Sequence, residues 1–151
     1  MSRPSIRGVT ISLLALVVLS ACGTTGRSAD YALAHTPSID DLTDGSWIAH
    51  RIEDPNRDIV PGSTIRLSFV DHTVAANGGC NVLRGPVAIN DDKLVVGKMA
   101  STLKACQPAL QAQDEWLASF LTSSPTIKRQ SNDLWLTRDY TLIHFTATDD
   151  S

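Results

Sequence analysis

TIRLSFVDHTVAANGGCN, residues 64–81, is where the chain shows its architecture most plainly. Ile65, Leu67 and Phe69 alternate with Arg66 and Ser68, the period of two that sends one set of side chains to each face of a strand. Residues 73–76 make a second β-rich run, set to pair with the first across Asp71-His72. Asn77-Gly78-Gly79 follows, and its glycines permit backbone conformations that a side chain would forbid. The stretch predicts a hairpin that ends in a tight turn at Cys80.

The same grammar extends in both directions. Upstream, residues 47–52 read as a strand, broken by Asp54-Pro55-Asn56 and again by Pro61-Gly62. Downstream, residues 84–89 and 94–103 form the next hairpin around Asn90-Asp91-Asp92, with Gly97 marking a bulge in the longer second strand. One helix follows. Pro108 suits its first turn, Ala109, Leu110, Ala112, Trp116, Leu117, Phe120 and Leu121 gather on one side, and Asp114, Glu115 and Ser119 fall elsewhere. Ser123-Ser124-Pro125 ends it. Residues 126–130, 134–137 and 141–145 give three more short strands, and in the last the pair Leu142 and His144 competes with Ile143 and Phe145 for the buried face. Short strands and turns at this spacing predict an α+β, mainly β fold: an antiparallel sheet or barrel with one helix. Residues 42–147 suffice for one core and not for two.

The beginning of the chain carries a different signal. Arg3 and Arg7 precede an apolar run, VTISLLALVVL over residues 9–19, which gives way at once to Ser20-Ala21-Cys22-Gly23. A spanning helix needs about 20 apolar residues to cross roughly 30 Å of hydrocarbon, and this run is too short. Leu19-Ser20-Ala21-Cys22 resembles the lipobox of bacterial lipoproteins, which implies a diacylglycerol on the Cys22 sulfur and cleavage before it. An ordinary secretory signal of the Ala-x-Ala kind, with Cys22 a bystander, is the alternative. On the first reading residues 1–21 are the signal peptide, residues 22–41 a flexible tether lipidated at Cys22, and residues 148–151 a tail. The expected location is the extracytoplasmic face of a membrane, held there by acyl chains at about 0.8 kcal/mol per buried CH₂.

Charge and cysteines narrow the function classes. Loss of residues 1–21 removes Arg3 and Arg7 and takes the formal charge from −3 to −5. No Lys/Arg cluster larger than Lys128-Arg129 occurs, so no nucleic-acid partner is expected. With Cys22 assigned to lipid, Cys80 and Cys106 remain as a pair. Parity and an oxidising compartment favour a disulfide, worth roughly 3 kcal/mol in the chain-entropy model. Two free buried thiols are the alternative; a catalytic role is remote, and neither cysteine has His or Cys neighbours at zinc-ligand spacing.

Gly45-x-Trp47, Leu67-x-Phe69, Gly79-Cys80-Asn81, Gly85, Thr102-x-x-Ala105-Cys106, a helix with Glu115, and Leu134-x-Leu136 before Leu142 together resemble the META, or HslJ-like, family of bacterial envelope proteins. The resemblance spans residues 42–147. It implies a compact antiparallel sheet partly rolled into a barrel with one packed helix, in β-helix-β order. It also implies envelope and stress-related roles such as heat-shock induction, novobiocin resistance, motility or virulence, with no enzymatic activity. Val87 stands where the family pattern has an aromatic and Lys104 where it has a methionine, so a groove lined by those positions would be less apolar here.

Motifs for chemistry are missing: the chain has no Gly-x-Ser-x-Gly, Walker loop, Gly-x-Gly-x-x-Gly or His-Glu-x-x-His. His35, His50, His72 and His144 share no spacing, and Asp40-Asp41, Asp91-Asp92 and Asp149-Asp150 read as solvated acids with too few oxygens for Ca²⁺. Trp47, Trp116 and Trp135 read as core, with the floor of a ligand pocket as the alternative. No cofactor or metal is expected. The place to look for function is Asn77, Gly78, Gly79 and Asn81, either a binding loop whose exposed amides are preorganised by an adjacent disulfide or simply a pinned turn. The expectation is a monomeric, non-enzymatic envelope lipoprotein that binds an envelope protein, or a carrier of a small apolar ligand.

Overall fold

The computed structural model describes residues 31–148. The signal peptide, Cys22, the first part of the tether and Asp149-Asp150 lie outside the described residues. The elements are β1 (Ser46–Glu53), β2 (Arg66–Val70), β3 (Thr73–Asn77), β4 (Val82–Asn90), β5 (Lys93–Val96), β6 (Ala100–Ser101), α1 (Pro108–Thr122), β7 (Thr126–Gln130), β8 (Asp133–Arg138) and β9 (Thr141–Thr148). Neighbours run in the order β3-β2-β1-β9-β8-β7-β5-β4, and β3 also pairs with β4, which closes eight antiparallel strands into a barrel. No helix among the described residues is long and apolar enough to cross a membrane.

Alternation sets the inner face. Ile65, Leu67 and Phe69 are fully buried while Arg66 is exposed, and Val74 and Ala76 of β3 join them from across the hairpin. Four two-residue loops join strands, and the first loop residue of each (Asp71, Asp91, Ser131, Asp139) takes a positive φ that matches the twist of a tight hairpin. The 94–103 run is divided: its pairing with β4 steps by one residue between Val87↔Val96 and Arg84↔Ala100, which is the bulge expected at Gly97. A Cβ on Gly97 would come within 2.8 Å of the Pro86 ring. In β9 the ambiguity resolves, with Ile143 and Phe145 inside.

Three expectations are corrected. Residues 35–41, placed in the tether, pack on the domain. His35 bridges to Arg129, Pro37 and Ile39 are buried, and a 3₁₀ turn (Asp40–Leu42) leads into β1, where Trp47 Nε1 donates to Leu42 O at 3.1 Å. Of the tryptophans only Trp47 lies in the barrel core; Trp135 is buried on the outer face between the edge of Tyr31 and the stacked ring of His144, and Trp116 is half-buried beside Phe120. Asp114, assigned to the polar side of the helix, is 3% exposed and faces inward with Gln113, Leu117, Phe120 and Leu121.

Candidate functional site

Residues 77–81 connect β3 to β4, and every backbone amide singled out there already has a partner inside the protein. Asp114 accepts from Gly78 N at 2.9 Å through Oδ1 and from Asn81 N at 2.6 Å through Oδ2. Gly79 N donates to Asn77 Oδ1 at 2.8 Å, and Asn77 Nδ2 donates to Asn81 O at 3.0 Å. Gln113 Nε2 donates to Gly78 O and to Ser63 Oγ, while its Oε1 accepts from Val60 N at 2.7 Å. The amides expected to be exposed are therefore consumed, because a helix dipping to this depth offers acceptors before water can.

A second layer holds the far side of the loop. Asn81 Oδ1 accepts from Lys104 N at 2.8 Å and from Thr102 Oγ1 at 3.0 Å, and Thr102 Oγ1 in turn accepts from Val82 N at 3.1 Å. Cys80 and Cys106 form a disulfide with Cα atoms 6.0 Å apart, tying the loop to the entry of α1. Glycine is needed at both inner positions. A Cβ on Gly78 would sit 2.6 Å from Asp114 Oδ1, and Gly79 has φ +113°. The loop is thus fixed by the helix, by the segment that follows β6 and by a covalent bond.

This joint forms the floor of a groove of about 630 Å³ between α1 and residues 99–105. Asn81 and Asp114 lie at its base, Leu83, Met99, Leu103, Ala105 and Ala118 give apolar wall, and Lys104, Gln111 and Glu115 give polar wall. Leu103 is 98% exposed beside it. Of the two departures noted above, Lys104 does line the groove, whereas Val87 is buried in the barrel core.

The histidines are spread out. His144 Nε2 lies 2.6 Å from Asp133 Oδ1 with its ring stacked on Trp135, and no hydroxyl or thiol of a described residue hydrogen-bonds it. His50 sits nearby with ring centroids 6.3 Å apart. Among the described residues no group of three His, Cys, Asp or Glu gathers as a metal site requires. Two carboxylates are held below their ordinary range: Asp54, mainly by the Thr141 hydroxyl and then the Asn56 amide, and Asp41, by the Ser38 amide and then its hydroxyl. Both serve turns and caps.

A family model described as the META domain matches residues 40–150. The chain belongs to the META domain family. The match takes in Asp40 and Asp41, consistent with the 3₁₀ turn packed ahead of β1. Several residues on which the resemblance rested acquire reasons here: Asn81 and Thr102 bond each other, Cys80 and Cys106 are joined, and a Cβ on Gly85 would crowd Met99 Cγ at 3.1 Å. Solved structures share the fold. A solution NMR structure aligns with TM-score 0.61 at 16% identity, covering 75% of this chain and 97% of the other. A protein from Burkholderia xenovorans, also solved by NMR, aligns with TM-score 0.59 at 22% identity over 73% and 86%. A DUF4847 family protein from Bacteroides vulgatus, a crystal structure, gives TM-score 0.53 at 13% identity over 74% and 98%. No curated protein matches the chain.

Gln113 and Asp114 escaped the reading by residue type, although position held the signal. Asp114, Leu117 and Leu121 follow i, i+3, i+7, the spacing of one helix face.

Proposed function

We propose that the protein is a cell-envelope lipoprotein, anchored through Cys22 on the extracytoplasmic face of a membrane, whose META domain binds a partner without catalysing a reaction and so contributes to stress or antibiotic tolerance. The observation that carries the binding reading is the groove between α1 and residues 99–105, built on a loop immobilised from three sides. A surface already ordered loses less entropy when it binds. Both carboxylate oxygens of Asp114 are engaged by backbone amides, so the buried acid at the groove floor is tied to the loop and shapes the site. Membrane anchoring rests on the lipobox and the apolar run before it.

The barrel interior is filled by Trp47, Phe69, Phe145 and a set of leucines and isoleucines, which favours a partner at the surface over cargo inside. The apolar side chains Met99 and Leu103 support the second reading, a small apolar ligand lodged in the groove itself.

A deletion strain should become more sensitive to envelope-directed antibiotics or heat than its parent, and Cys22→Ala should fail to restore tolerance because the protein leaves the membrane fraction. Leu103→Asp alters a side chain that stands in solvent, so it should accumulate normally yet fail to complement. Full complementation by Leu103→Asp would remove the groove from the explanation. Native mass spectrometry of the gently isolated protein decides the carrier reading by the presence or absence of an apolar adduct.

A further inference from the structure

The chain that leaves β6 lines the groove with main-chain groups unpaired. Thr102 N donates to Val82 O at 3.1 Å and Lys104 N to Asn81 Oδ1 at 2.8 Å, so amides two positions apart turn to the same side, toward the start of β4. That is the period of an extended strand, in which the intervening groups turn to the opposite edge. The Leu103 and Ala105 amides therefore point away from β4. Among the described residues neither has an acceptor, and the Leu103 carbonyl has no donor.

No described strand closes that edge. β6 pairs with β4 alone, whereas β5, the earlier part of the same run, lies between β4 and β7. Where the next strand would stand there is the groove of about 630 Å³, with α1 across it. Residues 101–105 are all exposed, and Leu103 is 98% exposed. Ser101 pairs with Leu83, which is buried, so alternation puts the side chain of Leu103 on the same face as Leu83 and the partly buried Met99. Glu115 and Lys104 also line the groove, and among the described residues neither side chain has an ion pair or hydrogen bond.

We propose that the groove takes an extended peptide segment of a partner protein, which adds to the free edge of residues 101–105 as a further strand. An open edge is a template for a second extended chain. The peptide's carbonyls accept from Leu103 N and Ala105 N, its amide donates to Leu103 O, and every second side chain packs against Met99, Leu103 and Ala118. A basic side chain among these meets Glu115. A ligand without main-chain groups would leave both amides unmet, and this is what commits the occupant to a peptide. Such docking rests on the groove being the binding surface, as proposed above, and adds how the partner is held.

The test uses the mature chain in non-ionic detergent. Random peptides of about seven residues displayed on phage are selected against it, and the strongest binders are synthesised with an N-methyl group at each position in turn. Methylation at every second position should weaken binding about tenfold, the loss of one main-chain bond, and methylation between those positions should have little effect. In NMR titrations the Leu103 and Ala105 amides should shift saturably and exchange more slowly. Leu103→Pro deletes a donor that has no partner in the free protein, so it should weaken binding about tenfold at an unchanged melting temperature. If that variant is destabilised, the methylation pattern decides alone. Failure to select any peptide, tolerance of methylation at every position, shifts centred away from residues 99–105, or protection of the same amides by self-association in the absence of peptide would each overturn the proposal. Loss of complementation in Leu103→Asp alongside tolerance of methylation would keep the groove and reject the added strand.

Discussion

At the scale of single residues the molecule leans on Asp114. Its two oxygens satisfy two amides that the glycine loop cannot satisfy itself, and a buried N–H left without an acceptor costs about 1–3 kcal/mol. Asp114→Ala should thus lower stability by about 3 kcal/mol, and Asp114→Asn, which retains one acceptor, by about half of that, as read from urea unfolding. Equal effects would mean that the second bond contributes nothing. Asp41 and Asp54 give a prediction of another kind. Hydrogen bonds from Ser38 and Thr141 hold their folded pKa values below 3.8, so each binds its proton more weakly in the folded state. Their contribution is fully present above that value and is lost as pH falls through the lowered values. Melting temperature should decline below about pH 4, and the decline should be shallower in the Ser38→Ala, Thr141→Val double variant. An unchanged acid slope would assign the decline to other groups. Legibility at this scale divides by mechanism. Ile65, Leu67 and Phe69 were readable because alternation alone dictates them, whereas Asp114 was not, because its partners lie 36 and 33 positions away in sequence and only the folded chain brings them near.

Among the elements, the β3–β4 connection and α1 behave as one unit. Cys106 stands two positions before the first helical residue, Gln113 and Asp114 stand on the second turn, and all three grip residues 78–81. The disulfide spans 26 residues, and removing that restraint from the unfolded chain should lower stability by about 3.5 kcal/mol in the chain-entropy model. Thiol labelling of the denatured, unreduced protein should leave Cys80 and Cys106 unmodified, and reduction should lower the melting temperature and expose both to label. The strand pattern was largely legible. Gly97 was read correctly as a bulge because a lone glycine in a β-rich run has few other uses. What could not be read was that residues 35–41 belong to the barrel: the backbone of His35 pairs with Arg129, Lys128 bonds Thr36 and Arg129 bonds the Asp41 carbonyl, contacts supplied by β7, far along the chain.

The whole molecule has one weak seam. β1 and β9 pair at seven positions and β8 and β9 at six, but β5 and β7 meet only at Lys93↔Thr126, flanked by the bonds Leu94 N to Pro125 O at 2.9 Å and Ile127 N to Asp92 O at 2.8 Å. The chain leaves the sheet after β6, forms α1 and returns as β7, so closure depends on the helix as much as on the ladder. Leu117 and Leu121 of α1 are fully buried and supply the apolar contact that the short ladder lacks. Opening should therefore begin here, with β5 and β7 parting while β1, β9 and β8 stay paired. Native-state hydrogen exchange is expected to show the Leu94 and Ile127 amides exchanging through a sub-global opening, and those of Ala49 and Phe145 only through global unfolding. Leu117→Ala should cost about 3 kcal/mol by leaving a cavity at the helix contact, and should accelerate exchange at Leu94 and Ile127 more than at Phe145. Uniform acceleration at all four amides would place α1 in the global core and make the barrel a single cooperative unit.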